Sequence, residues 1–407
     1  MNEVLNLKIK KCLYNSIFIL IMLLGTFYSM YGCNAKKDDN KLPNKNKKSQ
    51  YVTVKEKTKK ILSKMTLEEK IGQLFIVKPE TLCPSIDYSP EKGVTKINDE
   101  IVNNINKCHI GGIILFSKNI KNEKQLKSFI NDLQSSSKYK LFISVDEEGG
   151  LVSRVANCDA FHVKKYKNIQ SIGNTNNESK AKELGSTIGS YLKPLGFNLD
   201  FAPVADINTN PKNPIIGVRS YGNNAELVSR MVNAQLDGMH KAGIMGCTKH
   251  YPGHGDTSSD THTGSVSINK TWDELKKCEI IPFASSFNKT DMIMASHIIA
   301  NNASHDKLPT SISKNMIQEK LRNELGYKGV VISDSMEMKA ISDHYNSAES
   351  ATLAIKSGVD IVLMSPDIQE AYDAVLNSVK KGEISIERID ESVTRILELK
   401  VKYNMII

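Results

Sequence analysis

At 407 residues, with 40% apolar and 24% charged residues, the chain has the composition of a globular protein with enough apolar sequence for a sizeable core. Its formal charge of +9 suggests nucleic acid or an anionic surface, but ten lysines against Glu3, Asp38 and Asp39 place +7 of it within residues 1–55. The remainder is nearly balanced, which excludes a basic nucleic-acid footprint in the globular part.

The excess charge sits around an export-type signal. Lys8, Lys10 and Lys11 precede an uncharged stretch from Cys12 to Ala35 whose apolar centre is Ile17 to Leu24. Cys33 after Gly32 resembles the acceptor cysteine of a bacterial lipoprotein, although Met30 and Tyr31 depart from the small and branched residues usual before it. The alternative is an uncleaved anchor, because 24 uncharged residues can span a bilayer. Either reading puts the rest of the chain outside the cytoplasm, held to the cell membrane by an N-terminal lipid or anchor. The expected division is 1–32 export signal, 33–57 disordered polar tether and 58–407 a single globular domain, with no second domain after it. Cys83, Cys108, Cys158, Cys247 and Cys278 are scattered, matching neither a disulfide framework nor a zinc pattern, with at most one bridge among them.

From about Thr58 the pattern becomes short apolar runs alternating with amphipathic stretches. Thr66 followed by Glu69 predicts a capping box ahead of Ile71 and Leu74. Eight runs predict strands: Gly72 to Val77, Gly112 to Phe116, Leu141 to Val145, Leu199 to Pro203, Ile244 to Thr248, Met292 to Ala295, Gly329 to Ile332 and Asp360 to Met364. Strands alternating with helices imply right-handed βαβ units, and near-continuous apolar strands imply a sheet buried on both faces. Eight units predict an α/β fold of the (β/α)8 TIM-barrel type. A doubly wound open sheet is the rival, weakened by the lack of a Gly-rich loop after the first strand. From Ser385, Ile389, Val393, Ile396, Leu397 and Val401 recur at helical spacing and predict a final helix docked on the barrel.

In such a barrel the active site lies at the carboxyl ends of the strands, and polar residues follow the runs one after another. Asp146, Glu147 and Glu148 with Arg154 follow the third, Asp206 the fourth with Arg219 further on, and Lys249 and His250 the fifth. Ser296 and His297 follow the sixth, Ser333 and Asp334 the seventh. The densest segment runs from Lys249 to His262. His250 and His254 have the i, i+4 spacing of a zinc helix, but Pro252 and Gly253 forbid a regular helix between them, so no metal and no cofactor is expected. His254 and Asp256 read as residues that tie the loop. Asp260 and His262 can form a carboxylate–imidazole dyad, and Asp334 supplies a second carboxylate from another strand. A proton shuttle and a nucleophilic carboxylate are the minimum machinery of a retaining glycosidase; Asp146 and Asp206 are the alternative nucleophiles.

The segment Lys249 to Thr257 with Asp260 and His262 resembles the signature of glycoside hydrolase family 3 β-N-acetylhexosaminidases. The resemblance extends to Val145–Gly150 with Arg154, Phe201–Asp206, Val218–Tyr221 and Ile332–Met336, and so covers about residues 58–400. It implies a barrel in which Asp334 is the nucleophile, His262 the acid/base and Asp260 its partner. It further implies that Asp146, Arg154, Arg219, Lys249 and His250 bind the terminal sugar, with His297 behind them. The chain departs from the family's pattern at Leu151 and Ser153. The expected activity is exo-acting, retaining removal of non-reducing terminal N-acetylglucosamine (GlcNAc) from peptidoglycan fragments or related oligosaccharides. A GlcNAc-containing oligosaccharide or muropeptide is then the partner. The alternatives are a phosphorylase of the same glycosides, a metal-dependent hydrolase, and a non-catalytic sugar-binding lipoprotein.

Overall fold

The computed structural model describes residues 45–85 and 92–405, with side chains from Thr53 onward, so the export signal, Cys33 and the first part of the tether lie outside the described residues. Val54–Ile407 form one compact unit; of the unit Met1–Thr53, only the helical residues from Lys45 are described. A helix spans Lys45–Leu62 and therefore occupies residues 45–57 of the segment expected to be a disordered tether. Thr58 is buried, and Ile61 and Leu62 pack on the core. No Gly or Pro interrupts the residues N-terminal to them, so a helix fixed at that end can extend backward through lysines of good helix propensity.

Eight parallel strands close into a barrel in sequence order: β1 (Phe75–Val77), β2 (Gly112–Ile114), β3 (Phe142–Val145), β4 (Leu199–Asp200), β5 (Met245–Tyr251), β6 (Met292–Ala295), β7 (Val330–Ser335) and β8 (Ile361–Leu363). Each begins within a run predicted above, and β8 pairs with β1 to complete the ring. Strands β1 to β6 and β8 are buried at every position, as parallel strands walled in by helices must be. The predicted capping box at Thr66 and Glu69 is formed.

Two strands run longer than the apolar pattern indicates. β5 continues through Lys249 and His250 to Tyr251, and β7 through Asp334 to Ser335. These polar residues therefore lie inside strand ends rather than in the loops after them. An apolar-run criterion stops at the first polar residue, whereas β5 continues because Asp146 and Glu148 neutralise Lys249 and Asp206 pairs with His250, and β7 continues to a partly accessible end.

The last helix, Ile386–Lys402, is capped by Ser385 and buries the five predicted apolar residues. Its inner face also carries Lys400, whose Nζ donates to Gln73 Oε1 (2.6 Å) and the Gly111 carbonyl (3.2 Å) and sits 4.8 Å from the Phe142 ring centroid. None of these partners has a formal charge, and burial pulls the amine down to about 7. The unfolded amine titrates near 10.4, so the penalty of the buried cation is fully present below pH ~7 and is relieved as pH rises toward ~10. The stability of the parent relative to Lys400→Met is accordingly expected to rise by about 1.4 kcal/mol per pH unit across that window. Denaturant unfolding of both proteins at a series of pH values measures the difference, and parallel curves would refute it.

The described thiols Cys108, Cys158, Cys247 and Cys278 are unbridged, and Cys83 lies 3.5 Å from the Pro79 carbonyl.

Candidate active site

A cavity of about 470 Å³ opens over the carboxyl ends of the strands, within the range that holds a small ligand. Its wall includes Asp146, Arg154, Arg219, Lys249, His250, His262 and Asp334, so it gathers all the expected site residues except Asp260, which contacts His262.

The polar wall starts at β3. Asp146 follows it directly, and the chain then forms a hairpin in which Glu147–Gly149 pairs with Val152–Ser153. Gly149 and Gly150 turn it with φ of 93° and 80°, and a Cβ on Gly150 would lie 2.8 Å from the Asn168 Cα. Alternation along an extended segment sends Asp146 and Glu148 to one side and Glu147 to the other. Glu147 is buried and accepts from the N–H groups of Arg154, Val155 and Ala156 and from the Tyr191 hydroxyl, which fixes the loop that delivers Arg154.

Glu148 is the anchor that sequence reasoning missed. It is 1% exposed and accepts two bonds from Arg219, at 2.9 and 2.7 Å, while Lys249 Nζ lies 2.8 Å away. Burial alone would raise its carboxyl, but Arg219 and Lys249 overcome that and hold it far below the ordinary carboxylate range. Lys249 also donates to Asp146 at 2.6 Å, with Arg154 4.0 Å from the same carboxylate. Burial disfavours the ammonium, yet Asp146 and Glu148 together raise it, so Lys249 stays charged. The signal available in the sequence was the i, i+2 spacing of Asp146 and Glu148 after a buried strand.

Asp206, one of the alternative nucleophiles, is buried and absent from the cavity wall. It accepts from the His254 N–H (2.6 Å) and the His250 N–H (3.2 Å), and pairs with His250 Nδ1 (2.6 Å). Burial pushes its carboxyl up and the His250 and His254 imidazoles beside it pull it down, with a net lowering. An ionised Asp206 assigns the Nδ1–H tautomer to His250 and leaves Nε2 for the cavity. The other alternative, Asp146, is held in its ion pair with Lys249.

Asp334 is partly accessible at the end of β7 and accepts from the Ser335 N–H at 2.8 Å. Burial works against its charge, but the His297 and His250 imidazoles, that N–H and Lys249 outweigh it, and the carboxyl is lowered. His297 lies between Ser311 Oγ (2.7 Å) and the Ser335 carbonyl (2.8 Å), bracing the strand end. Among the described carboxylates of the cavity wall, Asp146, Glu148 and Glu337 each pair with a lysine or arginine, while Asp334 forms no such pair.

The loop after β5 brings the dyad to the opening. His262 Nδ1 lies 2.7 Å from Asp260 Oδ1, which also accepts the His262 N–H at 2.8 Å, and the His262 side chain is 65% exposed. The stem is tied as expected of His254 and Asp256. Thr209 donates to Asp256 at 2.9 Å, Lys270 lies 3.3 Å from it, and Asn213 donates to the His254 carbonyl.

A model of the glycosyl hydrolase family 3 N-terminal domain matches residues 66–399. Beta-hexosaminidase A of Pseudoalteromonas piscicida is 33% identical over 83% of the chain and 61% of its own length. A beta-hexosaminidase of Haemophilus influenzae is 32% identical over 67% of the chain and 77% of its own length. Among solved structures, a glycoside hydrolase family 3 beta-N-acetylglucosaminidase from Paenibacillus sp. str. FPU-7 superposes with a TM-score of 0.76 at 37% identity, covering 84% of this chain and 63% of that one. The chain thus spans about three fifths of the length of two of these relatives. With the family model running from the capping box before β1 into the last helix, and the barrel closed around the same residues, the chain belongs to glycosyl hydrolase family 3.

Proposed function

We propose that the chain is an exo-acting, retaining β-N-acetylglucosaminidase that releases terminal GlcNAc from peptidoglycan fragments or related oligosaccharides. The observation that carries this reading is the contrast within one cavity: among the described residues Asp334 forms no ion pair with a lysine or arginine yet is held ionised, while every other described carboxylate on the wall is paired. A nucleophile needs an available lone pair; a sugar-binding wall needs fixed donors and acceptors. The solved Paenibacillus relative, named a beta-N-acetylglucosaminidase, supports GlcNAc as the sugar, and the name beta-hexosaminidase A supports a hexosaminide.

In the first step Asp334 attacks the anomeric carbon as the glycosidic C–O bond breaks, and His262 gives its proton to the departing oxygen. Asp260 fixes Nδ1–H of His262 and leaves Nε2 to carry that proton. Water, giving its proton back to His262, then displaces Asp334 with net retention. Asp146, Arg154, Arg219, Lys249 and His250 hold the sugar hydroxyls.

His262→Ala is expected to slow substrates with poor leaving groups by about 10²- to 10⁴-fold, the usual contribution of general acid catalysis, and activated aryl glycosides far less. Steady-state rates on N,N′-diacetylchitobiose and on a dinitrophenyl N-acetylglucosaminide test this, and equal losses on both would sink the acid role. The same assay run with phosphate separates water from phosphate as acceptor, since phosphorolysis yields the sugar 1-phosphate.

A further inference from the structure

Between Asp260 and His262 stands a residue with no assigned part, Thr261, and unlike its neighbours it is buried, 2% exposed. Two groups grip it. Its hydroxyl lies 3.3 Å from His254 Nε2, and its carbonyl accepts from the Ala340 N–H at 3.3 Å. His254 is in turn pinned at its other ring nitrogen, Nδ1, by the Thr257 hydroxyl at 2.9 Å. The imidazole is thus clasped by two threonines of one loop, and its backbone N–H is fixed to Asp206.

The direction of these bonds follows from their neighbours. Thr257 Oγ1 lies 3.0 Å from the His254 carbonyl and 3.3 Å from the Ser259 carbonyl, which can only accept, so its proton goes there. It therefore accepts from His254 Nδ1–H. Burial and the nearby His250 push the His254 imidazole toward its neutral form, so Nε2 is an acceptor and the Thr261 hydroxyl is its donor. Ala340 lies six residues beyond Asp334, in the helix Lys339–Ser342, and the next loop residue to reach that segment, Ser265, lies 3.0 Å from His344 Nε2. The acid/base loop is thereby fastened to the segment that follows the nucleophile.

We infer that Thr261 is a positioning residue: held between His254 and Ala340, it sets the placement of the exposed His262 relative to Asp334. This rests on the acid/base reading of His262. Apart from the bonds of Thr263 to the Asp260 carbonyl, which stay within the loop, the dyad makes no other hydrogen bond among the described residues, so its placement across the cavity depends on the buried residue between its members.

Thr261→Val keeps the branched shape that lines the cavity and removes only the hydroxyl; Thr261→Ser keeps the hydroxyl. Thr261→Val is expected to lower kcat on N,N′-diacetylchitobiose on the order of 10-fold with KM little changed, and to leave the dinitrophenyl glycoside within about twofold, since misplacing a proton donor costs only the substrate that needs one. Thr261→Ser should stay near the parent on both. Equal losses on both substrates, no loss on either, or a Thr261→Ser variant as slow as Thr261→Val would overturn the proposal. His262→Ala, run alongside, separates the two ideas. If it shows no leaving-group dependence the acid role falls and the positioning role with it; if it does and Thr261→Val does not, only the positioning role falls.

Discussion

Asp334→Asn should lower kcat on the order of 10⁴-fold or more, the scale on which nucleophile knockouts act, while GlcNAc still binds. The amide has the shape of the carboxylate, and none of the charged contacts of the sugar-binding wall passes through Asp334, so ground-state binding has no reason to fail. What disappears is the carboxylate charge of the proposed nucleophile. Removing the side chain entirely, as Asp334→Ala, leaves room for an external anion, and azide should then restore turnover and give the glycosyl azide of inverted configuration. In the parent, a fluorinated N-acetylglucosaminide should accumulate as a covalent adduct on the peptide containing Asp334. A label on Asp146 or Asp206 would overturn the assignment, and both are poor nucleophiles here for visible reasons. Asp146 already binds Lys249, and Asp206 is buried beneath His250 and His254.

The barrel was legible because parallel strands buried on both faces must be apolar throughout, and few folds besides a barrel alternate eight such runs with helices. The positions of Asp334, Lys249 and His250 followed from the same logic, since a polar residue at the end of a buried strand needs a reason to be there. The hidden part was the layer that holds those residues. Glu148 and Asp206 are acids whose role is defined by partners 71 and 44 residues away in sequence, Arg219 and His250, and no local pattern encodes such a distance. Thr261 was invisible for the opposite reason: it sits inside the most conspicuous motif, but only burial distinguishes it from the dyad on either side. The helix starting at Lys45 was missed because composition reports what a segment can bury alone, not what it can propagate from a docked neighbour.

That hidden layer is where a single substitution should do most damage to both fold and site. In Glu148→Gln the buried Lys249 and the half-buried Arg219 keep their charges but lose the shared carboxylate, leaving Asp146 to face both. Breaking a buried ion pair from one side costs about 3–5 kcal/mol, because the surviving charge is left without compensation. A loss of that size is expected in denaturant unfolding at neutral pH, together with a large fall in kcat/KM as Lys249 and Arg219 shift from their places in the proposed sugar site. The pH dependence should change as well. The Glu148 carboxyl is lowered in the folded protein, so its stabilisation is fully present above the unfolded value of about 4.3 and is lost as pH falls below it. The variant should lack that part of the acid slope. Adding Arg219→Met to Glu148→Gln removes one uncompensated cation and should recover part of the stability, but none of the activity, because Arg219 is itself proposed to hold the sugar. Stability losses that simply add in the double variant would mean that Glu148 and Arg219 do not act as a pair, and the anchoring role of Glu148 would have to be abandoned.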